Sequence, residues 1–137
     1  YEIYNNKLMQ YFNNCCSIKA MDKITATTAF ETLSSGVRLD VFRLLVKQGL
    51  EGMVAGEIAS TLAIPPTNLS FHLKAMTNAR MLTVEQEGRF QRYRANLPLM
   101  LDLIAYLTEE CCAGRPEDCA TICTESNCTA TSNITQK

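Results

Sequence analysis

The chain has one histidine in 137 residues, a net charge of −1, and no long apolar run. Each shortage excludes something. His72 lies far along the sequence from a dense group of thiols, so no cysteine has an imidazole beside it to make it a catalytic nucleophile. A near-neutral balance gives no global field toward nucleic acid or membrane, so charge has to be read locally. No stretch approaches the ~18 apolar residues of a membrane-crossing helix. Residues 1–20 are rich in Asn and lack an unbroken apolar region, which excludes a secretory signal. A cytoplasmic protein with reduced thiols is therefore expected. Seven cysteines, an odd number, also argue against a closed disulfide framework. There are no internal repeats.

What is present suffices for one domain with tails. Nearly half the residues are apolar, enough for a modest core, and a monomer of this size gains from dimerisation. Residue 1 is Tyr, and no clear amphipathic pattern precedes Met21. Met21 is expected to be the native start, with residues 1–22 a non-native or poorly ordered leader. Residues 23–112 are expected to form the folded domain, and 113–137 a mostly flexible, cysteine-containing tail.

Within the domain, residues 23–34 suggest a first helix with Ile24, Phe30 and Leu33 near one face. Val37–Gln48 gives a second, with Val37, Val41, Leu44 and Leu45 at helical spacing, Ser35 as N-cap and Gly49 as stop. Met53–Leu62 reads as a short third helix with Ile58, Ala59 and Leu62 inward. Pro65-Pro66 ends it and opens a fourth, about Thr67–Asn78, with Leu69, Leu73 and Met76 toward the core. Leu82 and Val84 alternate with Thr83 and Glu85, Gly88 marks a turn, and Phe90–Ala95 runs back, so a two-stranded hairpin is expected. The last helix, Pro98 to about Cys112, carries Leu99, Met100, Leu103, Ile104 and Leu107. That face is too broad for one small core and calls for a partner helix. The fold class is mainly α with a small β-hairpin: a winged helix-turn-helix, whose second helix of the pair enters the major groove.

Three segments then carry a resemblance. "SSGVRLDVFRLLVKQG", "LSFHLKAMTNARMLTVEQEGRFQRYRA" and "YLTEECC…DC" are similar to the ArsR family of metalloid-responsive repressors, over roughly Thr25–Cys119. The likeness is strongest to the arsenic sensors whose cysteines follow the last helix. It implies a homodimer joined through its first and last helices. It also implies an operator upstream of an arsenic-resistance operon, released when As(III) or Sb(III) binds. Two departures narrow it. The stretch "GMVAGEIA" lacks the Cys-Val-Cys site that the best-known arsenic sensors carry on the third helix. The last helix has Asp102 but no histidine, against a zinc-sensor site.

Local charge supports a double-stranded DNA partner, expected to be an inverted repeat. Residues 68–94 carry a balance of +3, and residues 109–137 a balance of −3, so the hairpin suits phosphate and the tail does not. On the fourth helix Thr67, Asn68, Ser70, Phe71, His72 and Lys74 flank the apolar face. Thr67, Asn68 and Ser70 near its start can reach base edges, and Lys74 is expected to meet phosphate. The resemblance favours a DNA contact for His72 over a half-buried residue without one. Arg89 and Arg92 in the wing are expected to touch backbone or the minor groove.

Four thiols stand at Cys111, Cys112, Cys119 and Cys123. Trivalent arsenic and antimony are soft ions, and thiolates are the protein's soft ligands. Three thiolates would neutralise such an ion without a base or carboxylate. By resemblance the ligands are Cys111, Cys112 and Cys119, with Cys123 an alternative third. Other readings remain open: structural zinc, for which adjacent cysteines are poor geometry; a dithiol redox switch assisted by Arg115; or a thiol-rich scavenger with no DNA target. Cys15-Cys16 is a second adjacent pair, in the leader.

Overall fold

The computed structural model describes residues 21–109. Residues 1–20 of the expected leader, all seven cysteines and the tail lie outside them. Five helices and three short strands follow in chain order: α1 (Lys23–Leu33), α2 (Gly36–Gln48), β1 (Met53–Val54), α3 (Ala55–Leu62), α4 (Pro66–Asn78), β2 (Leu82–Glu87), β3 (Phe90–Ala95) and α5 (Leu97–Leu107). Every buried side chain among the described residues falls between Ala26 and Leu103.

Helix α1 starts at Asp22, whose carboxylate accepts the Thr25 N–H at 2.7 Å. That bond to the backbone holds the carboxyl below its ordinary pKa. The helix buries Ala26, Ala29 and Thr32. This corrects the expected face, because Ile24 and Phe30 point outward at 78% and 46% exposure. Small side chains let α1 lie close to α2, and the large ones remain outside. Arg38 of α2 donates from Nε to the Thr32 carbonyl and from Nη2 to the Glu31 carbonyl at 3.2 Å. A cation thus closes the α1 C-terminus, where free carbonyls concentrate negative charge.

Helix α2 buries Val41 and Leu45 of its expected row and Phe42 beside them, with Val37 and Leu44 half-buried; Ser35 stands at its N-cap without a side-chain bond. The third element departs from its expected form. Met53 and Val54 leave the helix register and pair with Tyr93 and Arg92 as a short antiparallel strand. The sheet is therefore three-stranded, in the order β1-β3-β2, where a two-stranded hairpin was expected. Helix α3 begins only after that strand, its first turn secured by Glu57, whose carboxylate accepts the Val54 N–H at 3.0 Å.

Helices α3 and α4 are joined by the turn at residues 63–65, with Ala63 left-handed at φ 52°. Pro66 occupies the first turn of α4, where no N–H is needed. Ile58 and Ala59 from α3 meet Leu69, Leu73 and Met76 from α4 in the core, with Met81, Leu82, Tyr93 and Leu103. In β2 only Leu82 is buried, and Val84 is 42% exposed, so the expected inward alternation stops after one residue.

Asn96 joins the sheet to the last helix. Its amide group donates to the Arg80 carbonyl at 2.7 Å, and its Oδ1 accepts the Leu99 N–H at 3.3 Å. Helix α5 buries Leu103, half-buries Leu99 and Met100, and leaves Leu101 and Ile104 exposed. It ends at Leu107, short of the expected Cys112. None of the described helices is long and apolar enough to cross a membrane.

Candidate nucleic-acid interface

The inward row of α4 (Leu69, Leu73, Met76) is fixed by the core. Helical geometry then dictates the outward row. Thr67, Phe71, Lys74 and Asn78 recur at i, i+4, i+7 and i+11 on the opposite face, and all four are exposed. Asn68 and Ser70 border this row, exposed on either side. The Ser70 hydroxyl donates to the Pro66 carbonyl at 2.9 Å, which leaves it an acceptor for a ligand. His72 is half-buried at the flank of the helix, away from the centre of the outward row. Of the residues expected on α4, Thr67 and Lys74 therefore share one surface row, Asn68 and Ser70 edge it, and His72 stands aside.

The wing is the β2–β3 hairpin, with Gly88 at φ 58° in its turn. Arg89 sits at the tip, exposed and without an ion pair among the described residues. Arg92 is placed differently. Its Nε meets the Glu87 carboxylate at 2.8 Å, and its Nη1 donates to the carbonyls of Glu51 and Gly52 at 3.4 Å each. The bond to Glu87 raises its pKa further. Arg94 repeats the scheme, pairing with Glu85 at 2.7 Å and donating to the Leu50 carbonyl at 2.6 Å. Both arginines thus brace the wing against the segment before β1. Of the two wing arginines expected to contact DNA, Arg89 is exposed and unpaired among the described residues, and Arg92 is engaged internally.

Sequence reasoning missed two features. One is the bracing role of Arg92 and Arg94, whose carbonyl partners lie forty or more residues away in sequence. The other is the weight of Phe71, 77% exposed in the middle of the outward row of α4. Its position opposite Leu69 and Leu73 was the available signal.

Among the described residues no three His, Cys, Asp or Glu side chains come together to hold a metal ion. Cys111, Cys112 and Cys119 lie outside those residues.

A two-helix unit, a basic wing tip and a polar outward helix row define the architecture. A family model described as a helix-turn-helix domain matches residues 33–85. The chain is a winged helix-turn-helix protein. Solved structures of the same architecture resemble it. One is an ArsR-like transcriptional regulator from a Rhodococcus species, at 22% identity over 75% of this chain and 93% of that one, with a TM-score of 0.54. Another is an ArsR family transcriptional regulator at 17% identity, covering 70% of this chain and 98% of that one, with a TM-score of 0.58. A third is the homodimeric winged helix-turn-helix DNA-binding domain of a possible ArsR-family regulator from Mycobacterium bovis. It is 25% identical over 63% of this chain and 80% of that one, with a TM-score of 0.51. No curated protein matches the chain. In a helix-turn-helix domain the second helix of the pair is the one that enters the DNA major groove.

Proposed function

We propose that the protein is a homodimeric, cytoplasmic repressor of the ArsR family. It binds an inverted-repeat operator of an arsenic-resistance operon and leaves it when As(III) or Sb(III) binds Cys111, Cys112 and Cys119. The observation that carries the DNA-binding part is the outward row of α4, hydrogen-bonding at Thr67 and Asn78 and cationic at Lys74, together with the exposed Arg89 of the wing. Such a row fits the major groove, with Arg89 placed for phosphate or the adjacent minor groove.

Dimerisation through the first and last helices is supported by the apolar side chains they leave exposed: Ile24 and Phe30 on α1, Leu101 and Ile104 on α5. The metalloid part rests on donor chemistry. Thiolates are the soft ligands such ions prefer, and a cluster of them follows α5 in sequence. In the proposed mechanism, closing Cys119 onto Cys111 and Cys112 changes the end of the dimerisation helix and with it the placement of the two reading heads. A ~100-fold loss of operator affinity needs about 2.7 kcal/mol of coupling.

The deciding experiment is operator binding by the full chain, titrated with arsenite under reducing conditions. The expected result is a retarded duplex released by stoichiometric arsenite. Retention of the duplex by metalloid-loaded protein refutes the sensor. Release by peroxide alone supports a redox switch in its place. No binding to any duplex favours a scavenger.

A further inference from the structure

Phe71 is a costly residue to leave where it is. The residue is 77% exposed and is not part of the core cluster. Its companions along the row are Thr67, Lys74 and Asn78, which can hydrogen-bond or carry charge. A protein-docking face needs contiguous apolar surface, and this is one aromatic ring within a polar row. Phe offers no donor and no acceptor. Of the features a base pair shows in the major groove, it can engage only one: the 5-methyl group of thymine.

We infer that Phe71 is a specificity-determining residue that reads a thymine methyl through an apolar contact at the centre of the recognition helix. The inference rests on the proposed DNA-binding role and adds to it. Thr67, Asn68 and Lys74 position the helix and hydrogen-bond its surroundings. Phe71 selects thymine at one position of each half-site. An operator read this way prefers thymine over uracil at that position, although the two pair identically with adenine.

The test uses the full chain and a duplex enriched from a random-sequence library. Deoxyuridine replaces thymine one position at a time, deleting the methyl and nothing else. Binding is measured for the natural protein, Phe71→Ala and Phe71→Leu, with thermal melting to confirm that each variant is folded. One thymine per half-site is expected to lose roughly fourfold on losing its methyl. Phe71→Ala is expected to weaken the unsubstituted duplex by a similar factor and to be indifferent to the substitution. Phe71→Leu, which keeps apolar surface, is expected to recover part of both. If the natural protein enriches a duplex but binds its uracil forms equally well, or if the two losses multiply independently, the reading of Phe71 is overturned and DNA binding stands. If no duplex is enriched at any salt concentration, both are overturned. An enriched duplex with no effect of Phe71→Ala, alongside altered self-association, assigns the ring to a second copy of the chain and also overturns the inference.

Discussion

Gly52 lies against the backbone of Tyr93. A β-carbon on Gly52 would collide with the Tyr93 carbonyl oxygen and stand 2.6 Å from Cγ of Arg94. Its φ of +63° is also one that side chains resist. Gly88 at the wing tip has nearly the same φ, +58°, but nothing within 4 Å of where a β-carbon would go. The pair separates backbone strain from crowding. Gly88→Ala is expected to cost about 1 kcal/mol and Gly52→Ala about 2–4 kcal/mol, read from urea melts of the full chain.

Tyr93 supplies an alkaline limit. Burial raises its phenol above the ordinary value of 10.0, because a phenolate there would be desolvated. A folded-state pKa above the unfolded one means this contribution is complete below about pH 10 and is lost as pH rises through the folded value. Melting temperature is expected to fall above about pH 10, and Tyr93→Phe is expected to flatten that limb. The substitution also removes the 2.9 Å bond to Gln91, so its effect at neutral pH sets the baseline.

The two wing arginines are expected to fail differently. Arg89→Ala removes an exposed cation and is expected to lower the slope of log affinity against log salt by about one, with melting unchanged. Arg92→Ala unties Glu87 from the carbonyls of Glu51 and Gly52. It is expected to lower the melting temperature and weaken all duplexes alike, with a smaller change in salt slope. Salt titrations beside melting curves separate the two.

Cys111→Ser and Cys112→Ser are expected to leave operator affinity unchanged and abolish release by arsenite. Residues 21–109 contain no cysteine, so neither change disturbs the described core. Normal release by either variant would reassign the ligands.

Ile24→Glu and Phe30→Glu are expected to shift sedimentation from dimer toward monomer without unfolding the chain, since both side chains are exposed. An unchanged dimer in both variants would move the interface elsewhere.

Much of this was legible from pattern. Helix α4 announced itself through Leu69, Leu73 and Met76 and through the prolines before it, and all three side chains are buried. Strand β1 was not legible. Two residues hold no alternation, and Met53-Val54 reads as the first turn of the helix that follows. What makes them a strand is pairing with Tyr93 and Arg92 some forty residues on, a tertiary decision. The face of α1 was misjudged for a related reason. Ile24 and Phe30 are the apolar bulk of that helix, but close packing on α2 selects Ala26 and Ala29. On the interface, spacing located the outward row of α4, while the engagement of Arg92 depended on carbonyls that no local pattern reveals.

That two-residue strand has a practical outcome for anyone wishing to retarget the protein. It leads straight into α3, whose Ile58 and Ala59 share a core with the reading helix α4, and it grips the hairpin at its side, so wing and reading helix are geared together. A chimera that grafts a foreign hairpin alone inherits a mismatched gear. The unit to transplant is residues 50–96 whole, with the arginines and the carbonyls they hold.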